Sequence, residues 1–170
     1  PQAEMGQGIW SGLAQIAADE LGADWRAVGV EPAPLAPAYA NIGLALGMTE
    51  GMPGLVQGIA TRLVRYFDFQ ITGGSNSVRA YEAPLRHAAA AAREMLCRAA
   101  ARRWDVDWED CDTANGFVTY KANRLAFGEL AVAAQTEDAP DEPVLRTRRT
   151  LVGKPVLRLD IPAKTCLLYT

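Results

Sequence analysis

The sequence predicts an α+β protein, two layers of helix and sheet organised around one long alanine-rich helix. Three observations predict it. Residues 78–104 hold the alanine runs 88–92 and 99–101, which carry the highest intrinsic helix propensity. Short apolar runs bounded by Gly, Pro and Asn alternate with segments of helical period, the pattern of a mixed helix and sheet layer. Hydrophobic residues make up 49% and charged residues 22%, so the chain can bury a core and is not predicted to be disordered.

In chain order, residues 9–21 place Ile9, Leu13, Ile16 and Ala17 at helical spacing, and Leu21-Gly22 provides a stop. Val28-Gly29-Val30 is a short apolar run followed by Pro32 and Pro34, which predicts a strand ending there. Residues 32–58 are rich in Pro, Gly, Met and Ala without a sustained period and read mainly as loop. Residues 59–69 leave two readings open. Leu63, Tyr66 and Phe67 fit a helical face, whereas the β-branched and aromatic content fits a strand. Thr72-Gly73-Gly74-Ser75-Asn76-Ser77 is a small polar turn leading into the long helix, in which Pro84 marks either the first turn or a kink.

Residues 108–120 predict two short strands joined at the turn dipeptide Asn115-Gly116. A short helix over 125–135 is entered near Gly128-Glu129, and 151–161 reads as extended chain. Residues 136–150, at the end of an acidic, proline-containing stretch, are assigned as a linker, and 151–170 as the start of a further, truncated segment. Both ends read as cuts through a longer protein.

Composition excludes several functions. The net charge is −3 with Lys and Arg interspersed among acids, so no nucleic-acid surface is predicted. No run approaches the roughly 20 apolar residues that span a bilayer, so no membrane role is predicted. No targeting signal lies within the chain, and the compartment stays unassigned. Cys97, Cys111 and Cys166 are scattered, which fits free thiols better than a disulfide framework or a zinc site. His87 is the only histidine, so His-based metal or triad chemistry is poorly supplied. No catalytic residue and no metal ligand is assigned.

Two motifs carry binding chemistry. Glu4-Met5-Gly6-Gln7-Gly8 opens the first helix. Gly6 and Gly8 let the backbone bend tightly around Gln7, whose amide donates and accepts, and free N–H groups at a helix start favour an anion. An isolated Gly-x-Gly is also an ordinary turn. The turn of Thr72, Gly73, Gly74, Ser75 and Ser77 offers hydroxyls, a flexible backbone and a second helix start, a phosphate cradle without a Walker or GxGxxG pattern. It also reads as a plain Ser/Asn-capped helix. Two such turns can converge on one elongated anionic ligand. Arg79 and Arg86 are weaker candidates for a phosphate, and Glu4 is a carboxylate that nothing in the sequence promotes to acid or base.

These segments resemble a known family. Glu4-Met5-Gly6-Gln7-Gly8 is similar to the EMGQG segment of molybdenum hydroxylase large subunits, of the xanthine oxidase/aldehyde oxidase family. Ala14 to Leu21, Asp24-Trp25, the Thr72-Gly73-Gly74-Ser75 turn, Phe127-Gly128-Glu129-Leu130-Ala131 and Arg158-Leu159-Asp160-Ile161-Pro162-Ala163-Lys164 follow in the order of the isoquinoline 1-oxidoreductase beta-subunit branch. The resemblance implies that residues 1–135 are part of a molybdopterin-binding domain. It implies molybdopterin cytosine dinucleotide as cofactor and a partner subunit carrying iron-sulfur clusters. The reaction implied is hydroxylation of an N-heteroaromatic or aldehyde carbon with oxygen from water. Gln7 would stand beside the molybdenum, and Gly6, Gly8, Thr72, Gly73, Gly74, Ser75 and Ser77 would hold the pterin dinucleotide. The family's catalytic glutamate belongs to a later segment that these residues lack, so the fragment is expected to be inactive alone. The alternative is a non-catalytic α/β fragment that self-associates into a homo-oligomer or binds a phosphate-containing ligand.

Overall fold

A computed structural model of the chain describes residues 2–34 and 36–165. Cys166 and the last part of the terminal segment lie outside them. The described elements are helices α1 (Ile9–Leu21), α2 (Ile42–Met48), α3 (Gly54–Tyr66), α4 (Ser77–Trp104), α5 (Phe127–Ala134) and α6 (Ile161–Thr165), and strands β1 (Asp112–Ala114), β2 (Phe117–Tyr120) and β3 (Asn123–Ala126). The α+β class and the long alanine-rich helix are as the sequence predicts. The chain forms two compact units, one of Pro1–Leu13, Gly29–Pro84 and Arg158–Thr170, the other of Ala14–Val28 and Leu85–Leu157.

The second unit is built on the alanines of α4. Ala99 and Ala100 are small enough to admit Val118 of β2 and Leu130 of α5, which join Leu96, Cys97 and Ala134 in one apolar cluster. Val118 and Leu130 are fully buried, each contributing about 1.5–3 kcal/mol. The sheet is a meander, β1-β2-β3, with both pairs antiparallel. Asn115 and Gly116 take φ of 50° and 81°, the left-handed pair that a tight hairpin demands. β3, whose last two residues the sequence places at the start of the following helix, pairs through Val118↔Leu125. Its turn, Lys121-Ala122, lacks the usual turn residues, and Asn-Arg-Leu-Ala does not alternate. α5 then starts with the Glu129 carboxylate accepting the Ala126 N–H at 2.8 Å.

α1 ends on a left-handed Gly22 (φ +77°) whose added Cβ would stand 2.6 Å from the Thr113 carbonyl oxygen. Gly22→Ala is therefore expected to cost about 2–4 kcal/mol, measured as a lower urea midpoint. Val28-Gly29-Val30 is not a strand. It follows the short 3-10 turn Trp25–Ala27 and remains unpaired among the described residues, since the nearby prolines offer no ladder donor.

Two buried carboxylates of α1 pin the irregular chain near residues 144–152. Glu20 accepts Arg86 Nε at 2.9 Å, Arg93 Nη1 at 2.7 Å and the Arg146 amide at 2.7 Å. Asp19 accepts the Thr150 amide and hydroxyl and the Leu151 and Val152 amides at 2.7–3.1 Å. Burial opposes the charge on both. The Arg146 amide, Arg93 and Arg86 at Glu20, and the Thr150, Val152 and Leu151 donors at Asp19, outweigh it and hold both carboxyls below their ordinary values. Groups lowered on folding stabilise above their unfolded pKa and lose that contribution as pH falls through the folded one. Unfolding free energy should thus be level down to about pH 5 and fall as pH drops below 4.5 and 3.8. A Glu20→Gln variant should show a shallower fall in denaturant titrations.

Cys97 is buried and free, and burial first, then the neighbouring Cys111 and Asp112, push its thiol up to about 12. Iodoacetamide at neutral pH should leave Cys97 unlabelled until the chain unfolds, as read by peptide mass spectrometry.

In the first unit, residues 42–48 and 54–66 are helical where the sequence read loop and an ambiguous span. Tertiary contacts override the glycines. Ala45 of α2 packs with Ala40 and with Val64 and Ala60 of α3. Asn41 is fully buried, its amide N–H bonded to the Phe69 carbonyl at 2.7 Å and its side-chain N–H₂ to the Ile71 carbonyl and the Asn76 side chain. Gly43 faces Ala80, whose Cβ would lie 2.9 Å from an added Cβ. Pro84 lies inside α4, well past its start at Ser77, which excludes the first-turn reading.

Candidate functional site

The site lies within the first unit. Residues 2–8 reach the turn before α4, and α4 itself, through polar contacts. The Ala3 N–H donates to Thr72 Oγ1 at 2.8 Å, and the Ser77 hydroxyl donates to Gln2 Oε1 at 2.5 Å. Gln2 is buried, its carbonyl accepts the Trp10 indole N–H at 2.6 Å, and its side-chain N–H₂ donates to Tyr81. These bonds bring the two predicted turns to one cavity of about 290 Å³. It is lined by Gln7, Thr72, Gly73, Ser75 and Ser77, with Met5, Ile9 and Val78. Gly6, Gly8 and Gly74 do not line it. They shape its turns, with φ of +102°, +80° and +60°.

The two helix starts differ. At α1 the anion is internal. The Glu4 carboxylate accepts the amides of Gly6 at 2.9 Å, Gly8 at 2.9 Å and Trp10 at 3.2 Å, and Arg158 Nη2 at 3.1 Å. Burial opposes its charge, and the Gly8, Trp10 and Gly6 amides with Arg158 overcome it, so the carboxyl titrates below its ordinary value. At this helix start the Trp10 amide is therefore not free, because Glu4 accepts it together with the preceding Gly6 and Gly8 amides. Gln7 folds onto its own turn, accepting the Met5 N–H at 2.6 Å and donating to the Ala3 carbonyl at 2.8 Å, with one amide hydrogen left over.

At α4 the Ala80 N–H is bonded back to the Asn76 carbonyl at 2.9 Å, which leaves the Ser77, Val78 and Arg79 amides as the orphan first turn. Ser75 holds a left-handed φ of 53° at the entrance, and the Thr72 hydroxyl, having accepted from Ala3, retains its own hydrogen to donate. This end of the cavity suits an anion. Arg86 serves elsewhere, bonded to Glu20, and His87 and Arg79 are exposed.

Arg158 and Asp160, which the sequence offered only as part of a resemblance, brace the first turn. Arg158 clasps Asp160 with two bonds (3.0 and 2.7 Å) and donates to the Gly6 carbonyl at 2.9 Å. Arg158, then Lys164, holds the Asp160 carboxyl far below the usual carboxylate range. The alternation Arg-x-Asp followed by Lys four residues on was the available signal.

No protein-family model matches the chain. Over 141 residues, 82% of the chain, the sequence is 30% identical to the isoquinoline 1-oxidoreductase subunit beta of Brevundimonas diminuta. Over 172 aligned positions, 96% of the chain, it is 30% identical to a membrane-bound aldehyde dehydrogenase (pyrroloquinoline-quinone) of Gluconacetobacter polyoxogenes. The chain is similar to part of an isoquinoline 1-oxidoreductase beta subunit. Both relatives are oxidoreductases by name, and the first is named as one subunit of its enzyme. The chain spans 15% and 19% of their lengths. Three segments that carry the family resemblance, Glu4 to Gly8, Thr72 to Ser77 and Arg158 to Lys164, thus lie together in one unit. Among the described residues no group of three or more His, Cys, Asp or Glu is placed to hold a metal ion.

Proposed function

We propose that the chain is part of a molybdenum hydroxylase large subunit and that residues 1–135 contribute part of its molybdopterin-binding domain. The cavity beside Gln7 receives a phosphate-bearing part of molybdopterin cytosine dinucleotide. The observation that carries this reading is the convergence of Gln7 with Thr72, Gly73, Ser75 and Ser77 on one cavity at the start of α4. A volume of about 290 Å³ is small for a dinucleotide, so one portion is held here and the rest extends beyond these residues.

The fit is uneven. The orphan amides of α4 and the Thr72 and Ser75 hydroxyls suit a phosphate or pyrophosphate, whereas the Ser77 hydroxyl donates its hydrogen to Gln2 and contributes through its amide. Gly6 and Gly8 contribute by shape, since their amides hold Glu4. Gln7 contributes its spare amide hydrogen at the cavity wall. When bound, the molybdenum centre of such a cofactor supplies hydroxylation of a ring or aldehyde carbon with oxygen from water, and an iron-sulfur partner subunit takes the electrons. Glu4 is a positioning residue here, bonded to four donors, and is no substitute for the family's catalytic glutamate.

The reading predicts a cofactor-contacting fragment without turnover. Metal analysis and hydroxylase assays on the purified chain should find neither stoichiometric molybdenum nor product. Stoichiometric molybdenum with turnover by these residues alone would contradict it. The Gluconacetobacter polyoxogenes relative is named for pyrroloquinoline-quinone, which makes that tricarboxylate the competing occupant of the same cavity. Fluorescence titration with each compound separates the two.

A further inference from the structure

α3 is apolar on two sides. Its inner side places Ala60 and Val64 against Ala40 and Ala45. The outer side carries Leu55, Val56, Ile59, Leu63 and Tyr66, continued by Phe67 at the helix end, each 38–79% exposed. Arg62 and Arg65 flank this stripe. A contiguous exposed apolar stripe of this kind marks an interaction surface.

We infer that the outer face of α3 is the seat for α3 of a second copy of this chain, packed antiparallel about a two-fold axis. Two features select this occupant. The first is self-complementarity. A two-fold interface needs every contact from i to j repeated from j to i. The six positions pair about Thr61, setting Leu55 against Phe67, Val56 against Tyr66 and Ile59 against Leu63 of the other copy. Each large side chain then meets another, and the arginines fall at the rim, as interfaces place their charges.

The second feature is area. From their fractional exposures the six side chains present on the order of 700 Å² of apolar surface. That exceeds the roughly 300–600 Å² of the largest patch on a typical monomer and approaches the ~800 Å² per partner of a stable interface. Tyr66, Phe67 and Phe69 form an edge-to-face aromatic cluster at one end, with centroids 5.1 and 6.3 Å apart, which supplies rigid anchors.

Light scattering on the 170-residue chain, eluted from a sizing column over a range of micromolar concentrations, tests the proposal. The expected mass is twice 18.3 kDa for the unaltered chain and 18.3 kDa for Ile59→Glu/Leu63→Glu, with the far-ultraviolet circular dichroism unchanged. Val132→Glu, at an exposed apolar position of α5, should remain dimeric. An unaltered chain that stays at 18.3 kDa overturns the proposal whatever the variants do, and leaves the face to another partner such as the remainder of a large subunit. A double variant that folds and still dimerises overturns it equally.

Discussion

Replacing Glu20 with alanine is expected to remove a large share of the stability of the second unit. The side chain is 0% exposed, and the facing arginines are nearly as enclosed, 19% for Arg86 and 10% for Arg93. Removing the carboxylate strands two guanidinium groups in a poorly solvated site and frees the Arg146 amide. Breaking a buried pair from one side typically costs about 3–5 kcal/mol. That is a large share of the roughly 5–15 kcal/mol that holds an ordinary domain, or about 12–40 °C in Tm for a unit of under about 100 residues. Differential scanning calorimetry should show the loss. Glu20→Gln, which keeps one acceptor oxygen, should lose less. Arg26→Ala, by contrast, breaks only an exposed pair with Asp24 and should fall within about 0.5 kcal/mol of the parent.

The second large effect is expected at Glu4. Glu4→Ala leaves the amides of Gly6, Gly8 and Trp10 without their acceptor and removes one of the two bonds that Arg158 Nη2 makes. A lost helix cap and a stranded charge-assisted network together cost about 2–4 kcal/mol. The turn that aims Gln7 at the cavity loosens with them. The vacated place is a helix start beside an arginine, which is an anion site. Added formate or acetate should therefore restore part of the lost Tm in Glu4→Ala and leave the parent unchanged. Equal response of both proteins to the anion would argue that Glu4 does not act as the internal anion of α1.

The sequence made some of this legible. Helical period with a terminal glycine delimited α1, alanine content located α4, and Asn115-Gly116 located the hairpin, because each is a local signal that tertiary contacts reinforce. The helix α2 and the start of α3 were not legible, and the rest of α3 was legible only as one of two open readings. Their glycines and mixed period describe a segment whose helicity depends on Ala45 packing against Val64 and on the buried Asn41, contacts that no local window contains. β3 failed for a similar reason, since its polar residues gain their conformation from pairing with β2. At the candidate site, glycine, hydroxyl and helix-start chemistry singled out the two turns that line one cavity. Their difference was not legible. That the Glu4 carboxylate fills one helix start and leaves the other open depends on a turn geometry and on Arg158, more than 150 residues away.

The most direct test of the account is a ³¹P NMR titration of the chain with cytidine diphosphate, which carries the pyrophosphate and base of the proposed cofactor. Val78 lines the cavity within the open first turn of α4, so Val78→Asp places a carboxylate where the account puts phosphate. The account predicts saturable line broadening with the parent chain, a loss of at least tenfold in affinity with Val78→Asp, and little change with Arg79→Ala at the exposed neighbouring position. Binding that Val78→Asp leaves intact, or no saturable binding by the folded parent, would contradict it.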